Sequence, residues 1–134
     1  MRKKVFVVDD EHVIADTLTA ILMGSGYEAR PFYDAESALA ACAASCPDCI
    51  ISDVVMPGLS GVELAVRVRE GFASCKVILF SGQAATMDML EAAARRGHQF
   101  EVLLKPVHPR DLLARLEMGD GFEAGYAMAE RLSA

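Results

Sequence analysis

The sequence lacks the features of membrane, secreted and nucleic-acid-binding proteins. Its apolar runs, such as those at 49–51 and 77–80, are far shorter than the roughly 20 residues that cross a bilayer. The basic N-terminus continues into a short apolar run and then two aspartates, which is not a secretory signal. Acidic residues number 19 and basic residues 13, so the net charge is −6 and no basic stripe is available for phosphates. We therefore expect a cytoplasmic protein with no membrane insertion and no direct nucleic-acid partner.

Length and composition predict one globular domain. The chain has 134 residues, of which 53% are hydrophobic and 24% charged, and this composition excludes a disordered protein. We assign the domain to residues 1–118, because Gly119 and Gly121 would break the last predicted helix. Residues 119–134 are expected to be a tail or a short extra helix, with no output domain.

Four cysteines are present, at positions 42, 46, 49 and 75. The spacing of the first three is that of thiolates holding an iron–sulfur cluster in S-adenosylmethionine radical enzymes, but those enzymes need a much larger barrel. Cys42 continues an alanine-rich helical pattern, and Cys49 begins an apolar strand. Because buried free cysteine behaves as a small hydrophobic residue, we interpret these cysteines as packing residues.

Short apolar strands alternate with helical patterns five times. Strands are predicted at 4–8, 27–32, 49–53, 76–80 and 100–104. Asp34 and Ser60 are suitable N-caps for the second and third helices. This alternation predicts an α/β fold with a doubly wound, five-stranded parallel sheet and helices on both faces.

Chemically active side chains follow the strands of this predicted sheet. Asp9 and Asp10 follow the first strand, and Asp53, Ser81 and Lys105 stand at the ends of the third, fourth and fifth. Ligands of open α/β sheets bind beyond the carboxyl ends of the strands. Three carboxylates together would repel one another, and Mg²⁺ would relieve that repulsion. One carboxylate could then act as a nucleophile and form an aspartyl phosphate, with the amine and hydroxyl contacting the phosphoryl group.

Four separated segments carry a family resemblance. They are VVDDE at 7–11, IISDVVMPGLSG at 50–61, VILFSG at 77–82 and LKP at 104–106. In order and spacing they resemble the receiver domain of two-component response regulators, over about residues 3–118. The resemblance implies a flavodoxin-like sheet with the strand order 2-1-3-4-5.

The resemblance also implies a role for each acidic residue. Asp53 would accept a phosphoryl group from a sensor histidine kinase or a phosphotransfer protein. Asp10 and Asp53 would bind Mg²⁺ directly, Asp9 would bind it through water, and Val55 would bind it through its backbone carbonyl. The domain would then act as a signalling switch, rather than as an enzyme, for an unknown downstream protein.

Two further implications concern the phosphoryl contacts and the switch. Ser81 and Lys105 would contact the phosphoryl group, and the Lys105–Pro106 peptide bond would be cis. Phosphorylation would change the surface of helix four, strand five and helix five. The sequence leaves open whether the protein forms a homodimer.

The chain departs from the family pattern at two places. Receivers commonly carry Tyr or Phe three residues before the lysine, where this chain has Val102, and Phe100 is offset from that position. The aromatic part of the switch is therefore missing. Val55 and Gln83 occupy the two positions that flank the path of the attacking water, and an apolar Val55 predicts slow dephosphorylation.

Two alternative functions remain open at this stage. A small Mg²⁺-dependent phosphatase resembling the haloacid dehalogenase group uses similar residues, but its nucleophile follows the first strand in an Asp-x-Asp motif. Here Asp9 and Asp10 are adjacent, and Asp53 follows the third strand. The other alternative is a receiver-like scaffold that is never phosphorylated. The presence of all five site residues argues against it; they are Asp9, Asp10, Asp53, Ser81 and Lys105.

Overall fold

In the part of the chain that the structure describes, five parallel strands form one sheet, with five helices packed around it. The computed structural model describes residues 2–82, 86–106 and 108–117. The strand order is β2-β1-β3-β4-β5, as the resemblance implies. The elements, in chain order, are β1 (Lys4–Val8), α1 (His12–Gly24), β2 (Glu28–Phe32), α2 (Ala35–Ala44), β3 (Cys49–Asp53), α3 (Gly61–Gly71), β4 (Lys76–Ser81), α4 (Thr86–Arg95), β5 (Glu101–Leu104) and α5 (Pro109–Glu117).

Local side-chain chemistry starts two of the helices. The Asp34 carboxylate accepts a hydrogen bond from the backbone N–H of Ser37 at 2.6 Å, which caps α2. The Ser60 hydroxyl accepts one from the N–H of Glu63 at 3.1 Å, which caps α3. Each cap satisfies a backbone donor that the first turn of a helix leaves without a partner, so both predicted caps are confirmed.

The core lies on both faces of the sheet. Along β1, Val5 and Val7 face α1 and α5, whereas Phe6 and Val8 face α2, α3 and α4. All five residues of β3 are buried, because that strand lies in the middle of the sheet and is covered on both sides. This double burial explains why its sequence is apolar at successive positions.

Element boundaries differ slightly from the prediction. The second strand begins at Glu28 rather than Tyr27, and the fifth begins at Glu101 rather than Phe100. The first helix ends at Gly24, and Gly26 then adopts a left-handed φ of 96° that glycine tolerates best. The predicted tail at 119–134 lies outside the described residues. Within the described ranges, no helix is both long enough and apolar enough to cross a membrane.

Candidate functional site

The polar residues predicted at the strand ends meet at one edge of the sheet. We call this the carboxyl edge, because the carboxyl ends of all five strands lie there. Asp53 is the last residue of β3, Ser81 is the last of β4, and Lys105 directly follows β5. They border an open cleft of about 650 Å³, lined by Asp10, Glu11, Asp53, Val55, Met56, Pro57, Ser81, Gly82 and Lys105.

Three carboxylates form a cluster beside this cleft. One oxygen each from Asp9, Asp10 and Asp53 lies within 4.8 Å of the other two. Asp9 is fully buried and Asp53 is 7% exposed, so water screens these two carboxylates poorly, whereas Asp10 is accessible to solvent. Carboxylate oxygens at this spacing are ligands of the kind that hard divalent cations prefer.

The two carboxylate oxygens of Asp9 differ in their hydrogen bonding. Its Oδ1 accepts a hydrogen bond from the Glu11 N–H at 2.9 Å, while its buried Oδ2 has no hydrogen-bond partner. The Lys105 Nζ is 3.8 Å from Oδ2, too far for a hydrogen bond. Burial, with a smaller contribution from the Asp53 charge, raises the pKa of Asp9 to about 6 against the opposing Glu11 hydrogen bond. A bound cation, or water bound to it, would satisfy this oxygen, so the site fits Mg²⁺.

Asp53 and Lys105 form the closest ion pair of the site. The Lys105 Nζ lies 3.3 Å from the Asp53 Oδ1. Burial raises the pKa of Asp53, and the Lys105 ammonium opposes that rise. The pairing therefore favours the ionised carboxylate, which is the form that can act as a nucleophile.

One backbone contact and one side-chain contact place Lys105 against the end of β4. Its N–H donates to the Ser81 carbonyl at 3.0 Å, and its Nζ lies 5.2 Å from the centre of the Phe80 ring. The Lys105–Pro106 peptide bond is cis. Ser81 is 3% exposed and lines the cleft.

The chain turns sharply after Asp53, and Gly61 makes that turn possible. The Gly61 N–H donates to the Val54 carbonyl at 2.8 Å. A Cβ atom at position 61 would lie only 1.9 Å from the Asp53 carbonyl oxygen. The sequence did not lead us to predict this positioning role, although Gly61 directly follows the Ser60 cap in the segment 50–61.

Glu36 is a second residue that sequence reasoning missed. Its carboxylate, in the first turn of α2, accepts from the backbone N–H of Leu59 at 3.4 Å. A Cβ atom at Gly58, which has a left-handed φ of 76°, would be 3.1 Å from Glu36 Oε2. The loop between β3 and α3 therefore rests against α2.

The two departures from the family pattern have distinct environments. Val55 lines the cleft and is 41% exposed, while Gln83 lies outside the described residues. Val102 lies in β5, where it pairs with Leu79 of the neighbouring strand β4 and packs against the core. Phe100 is buried before β5, at the end away from the cleft, where the Arg69 guanidinium lies 4.3 Å from its ring centre.

Comparison with known proteins agrees with this geometry. The family model for the response regulator receiver domain matches residues 5–117. The chain belongs to this family. Two solved receiver domains are similar in structure: a CheY-like response regulator receiver domain protein from Methanospirillum hungatei JF-1, and the signal receiver domain of an HD domain-containing protein from Pseudomonas fluorescens Pf-5. The first has a TM-score of 0.78 at 26% identity, covering 87% of this chain and 92% of that one. The second has a TM-score of 0.80 at 27% identity, covering 88% and 94%.

Relatives of this receiver domain include longer regulators. The DNA-binding response regulator MtrA of Mycobacterium tuberculosis is 29% identical over 119 residues, which cover 87% of this chain and 50% of MtrA. The regulatory protein VanR of Enterococcus faecium is 29% identical over 117 residues, covering 87% and 49%. The chain thus spans about half the length of these curated relatives.

Proposed function

We propose that this receiver domain is a phosphorylation switch that accepts a phosphoryl group on Asp53. The donor is the phosphohistidine of a sensor histidine kinase or a phosphotransfer protein. The observation that carries the proposal is the position of the Asp53 carboxylate. It lies at the carboxyl edge, 3.3 Å from the Lys105 ammonium and beside two further aspartates.

The transfer exchanges one bond to phosphorus for another. An Asp53 carboxylate oxygen attacks phosphorus, the N–P bond to the donor histidine breaks, and the imidazole leaves with the bonding electron pair. Lys105 faces the charge that develops on the phosphoryl oxygens, and the Ser81 hydroxyl is a neutral donor at the same cleft. This chain therefore supplies the nucleophile, the positive charge and a hydrogen-bond donor.

The same residues would hold Mg²⁺. Asp10 and Asp53 would bind it directly, Asp9 would bind it through water, and Val55 would bind it through the backbone carbonyl. Once bound, Mg²⁺ would neutralise the carboxylates and the incoming phosphoryl oxygens. The buried Asp9 oxygen without a hydrogen-bond partner supports this assignment.

The output of the switch is the surface formed by α4, β5 and α5. Ser81 and Lys105 connect the cleft directly to β4 and β5, so contacts to a phosphoryl group can shift the populations of two conformers of this surface. We propose that a downstream protein in the cytoplasm reads this surface. In this role the domain is a signalling switch and not an enzyme acting on small molecules.

Acetyl phosphate with Mg²⁺ tests the phosphoacceptor. The intact mass of the wild-type chain should increase by one phosphoryl group. Asp53→Asn should show no increase. Asp88→Asn, which changes an exposed aspartate in α4, should react like the wild type.

Other results would overturn this assignment. If Asp53→Asn is still phosphorylated, another residue is the acceptor. If the wild type stays unmodified with both acetyl phosphate and a panel of phosphorylated kinases, the chain is a scaffold. Sustained turnover of p-nitrophenyl phosphate would instead favour the phosphatase.

A further inference from the structure

The loop between β3 and α3, residues 54–60, carries one of the proposed Mg²⁺ ligands. Val55 would bind the ion through its backbone carbonyl, and the same residue lines the cleft. A backbone ligand has no side-chain rotamers, so its position depends on the conformation of the loop itself. Contacts that hold this loop in place therefore affect the geometry of the proposed metal site.

Two apolar side chains anchor the loop to the core. Met56 is buried and Leu59 is half-buried, and both pack with the apolar cluster that lies under α2, α3 and α4. The Gly61 N–H donates to the Val54 carbonyl at 2.8 Å, which ties the two ends of the loop together. Gly58, by contrast, is exposed at the tip of the loop. The tip therefore depends on contacts outside the core.

Glu36 of α2 makes a polar contact with the tip of the loop. Its carboxylate accepts a hydrogen bond from the backbone N–H of Leu59 at 3.4 Å. At Gly58, which has a left-handed φ of 76°, a Cβ atom would lie 3.1 Å from Glu36 Oε2 and 3.8 Å from Oε1. The carboxylate thus lies directly against the loop backbone at two consecutive residues.

The N-terminus of α2 leaves the Glu36 carboxylate available for this contact. Glu36 lies in the first turn, where acidic side chains commonly bind backbone donors of their own helix or interact with its dipole. Here Asp34 supplies the cap, because its two oxygens accept hydrogen bonds from the Ser37 N–H at 2.6 Å and the Ser37 hydroxyl at 3.0 Å. Glu36 extends instead to the loop.

We propose that Glu36 is a positioning residue for the Mg²⁺ site. It acts through the loop and not on the ion, because its hydrogen bond to the Leu59 N–H holds the loop in the conformation that binds Mg²⁺. Without this bond the metal-free loop samples other conformations, and ordering it takes up part of the free energy of binding. The inference rests on the proposed function, since it requires that Mg²⁺ binds beside Asp53.

Two substitutions at Glu36 separate this role from an effect of charge. A carboxylate would also attract a cation from a distance and stabilise α2 through the helix dipole, and both effects require its negative charge. Glu36→Gln removes the charge but keeps an oxygen that can accept the Leu59 hydrogen bond. Glu36→Met has a similar length and helix propensity, but its thioether is only a weak acceptor. The two variants therefore differ mainly in the hydrogen-bond acceptor.

Titration of the full chain with MgCl₂ tests the positioning role. Backbone amide shifts of the residues that line the cleft give the dissociation constant of Mg²⁺. This constant should be about two- to fivefold higher for Glu36→Met than for Glu36→Gln, a range limited by the net strength of one hydrogen bond. In the metal-free protein, the Leu59 amide proton should also exchange with solvent faster in Glu36→Met than in Glu36→Gln.

Glu63 provides a matched control. It is an acidic residue in the first turn of α3, and its carboxylate pairs with Arg67 at 3.5 Å and Arg96 at 3.4 Å rather than with the loop. Glu63→Met removes the same charge and the same acceptor, and it should leave the dissociation constant of Mg²⁺ close to that of the wild type. Urea unfolding in a chelator checks that every variant is folded, so that a difference in Mg²⁺ affinity is not a difference in folding.

Other results would overturn the inference. Equal dissociation constants for Glu36→Gln and Glu36→Met would mean that the hydrogen bond to the loop does not position the site, and the proposed function would stand without it. An equally large effect of Glu63→Met would mean that any loss of charge in a first turn weakens Mg²⁺ binding. If the wild type shows no saturable shift with Mg²⁺, or if Asp53→Asn binds Mg²⁺ as tightly as the wild type, the proposed metal site fails together with the inference.

Discussion

Asp9 illustrates how position changes the chemistry of one side chain. In an unfolded chain its carboxyl group has an ordinary pKa of 3.8, whereas burial raises the pKa to about 6 in the folded protein. At a pH between these two pKa values, the Asp9 carboxyl group is mostly protonated in the folded state and mostly ionised in the unfolded state. The free energy of unfolding contributed by Asp9 is therefore greatest in acid and falls as the pH rises from about 4 to about 6.

Asp9→Asn should stabilise the metal-free protein near neutral pH. The variant removes a buried negative charge, and the gain should be of the order of 3 kcal/mol. It should shrink near pH 4, where the wild-type carboxyl group is protonated in the folded state. Urea unfolding in a chelator at several pH values measures this difference. Asp88→Asn is the control, and a gain independent of pH would contradict the explanation.

Val55 supports a separate prediction, which rests on phosphorylation of Asp53. Its side chain lines the cleft but cannot hydrogen-bond the water that would attack the phosphoryl group. Val55→Asn should therefore shorten the phosphoryl lifetime several-fold. Loss of the phosphorylated mass over time measures that lifetime. Val13→Asn, at an exposed valine of α1, is the matched control, and equal lifetimes for wild type and Val55→Asn would contradict the role of Val55.

At the scale of secondary structure elements, the start of α3 determines where β3 can end. The helix begins at Gly61, directly against the backbone of Asp53. Its Ser60 cap and its hydrogen bond from Gly61 to Val54 hold the turn that follows the strand. The position of the proposed phosphoacceptor thus depends on a helix terminus as well as on a strand.

Two glycines of α3 provide a matched test of this contact. Gly61→Ala should lower the free energy of unfolding by about 2–3 kcal/mol, because its Cβ would overlap the Asp53 carbonyl. Gly71→Ala has no atom within 4 Å of its Cβ and should be neutral or stabilising by up to about 1 kcal/mol. Urea unfolding compares them, and equal effects would contradict the assigned role of Gly61.

At the scale of the whole molecule, the sheet divides the core into two halves. Its two faces are filled by separate apolar clusters, one under α1 and α5 and the other under α2, α3 and α4. The carboxylate cluster and Lys105 lie at the carboxyl edge, where the strands of both halves end. In the proposed function, a phosphoryl group in the cleft would act on the surface of α4, β5 and α5 through Ser81, which ends β4, and Lys105, which follows β5.

Beryllofluoride with Mg²⁺ should change this surface without covalent chemistry. Backbone amide shifts in the wild type should extend from the cleft into β5 and α5, while those of the middle of α2 stay nearly constant. Asp53→Asn should remove the response. Shifts confined to the residues lining the cleft would contradict the proposed output surface, even if the ligand binds.

The sequence by itself determined the succession of strands and helices, the caps at Asp34 and Ser60, and the polar residues at the strand ends. These features depend on side-chain periodicity and on bonds between residues a few positions apart. The family motifs, rather than periodicity, predicted the strand order. Only the tertiary structure revealed the close approach of Gly61 to Asp53 and the oxygen of Asp9 without a hydrogen-bond partner. Such features depend on how neighbouring strands and the turns between them pack, and no local pattern records that packing.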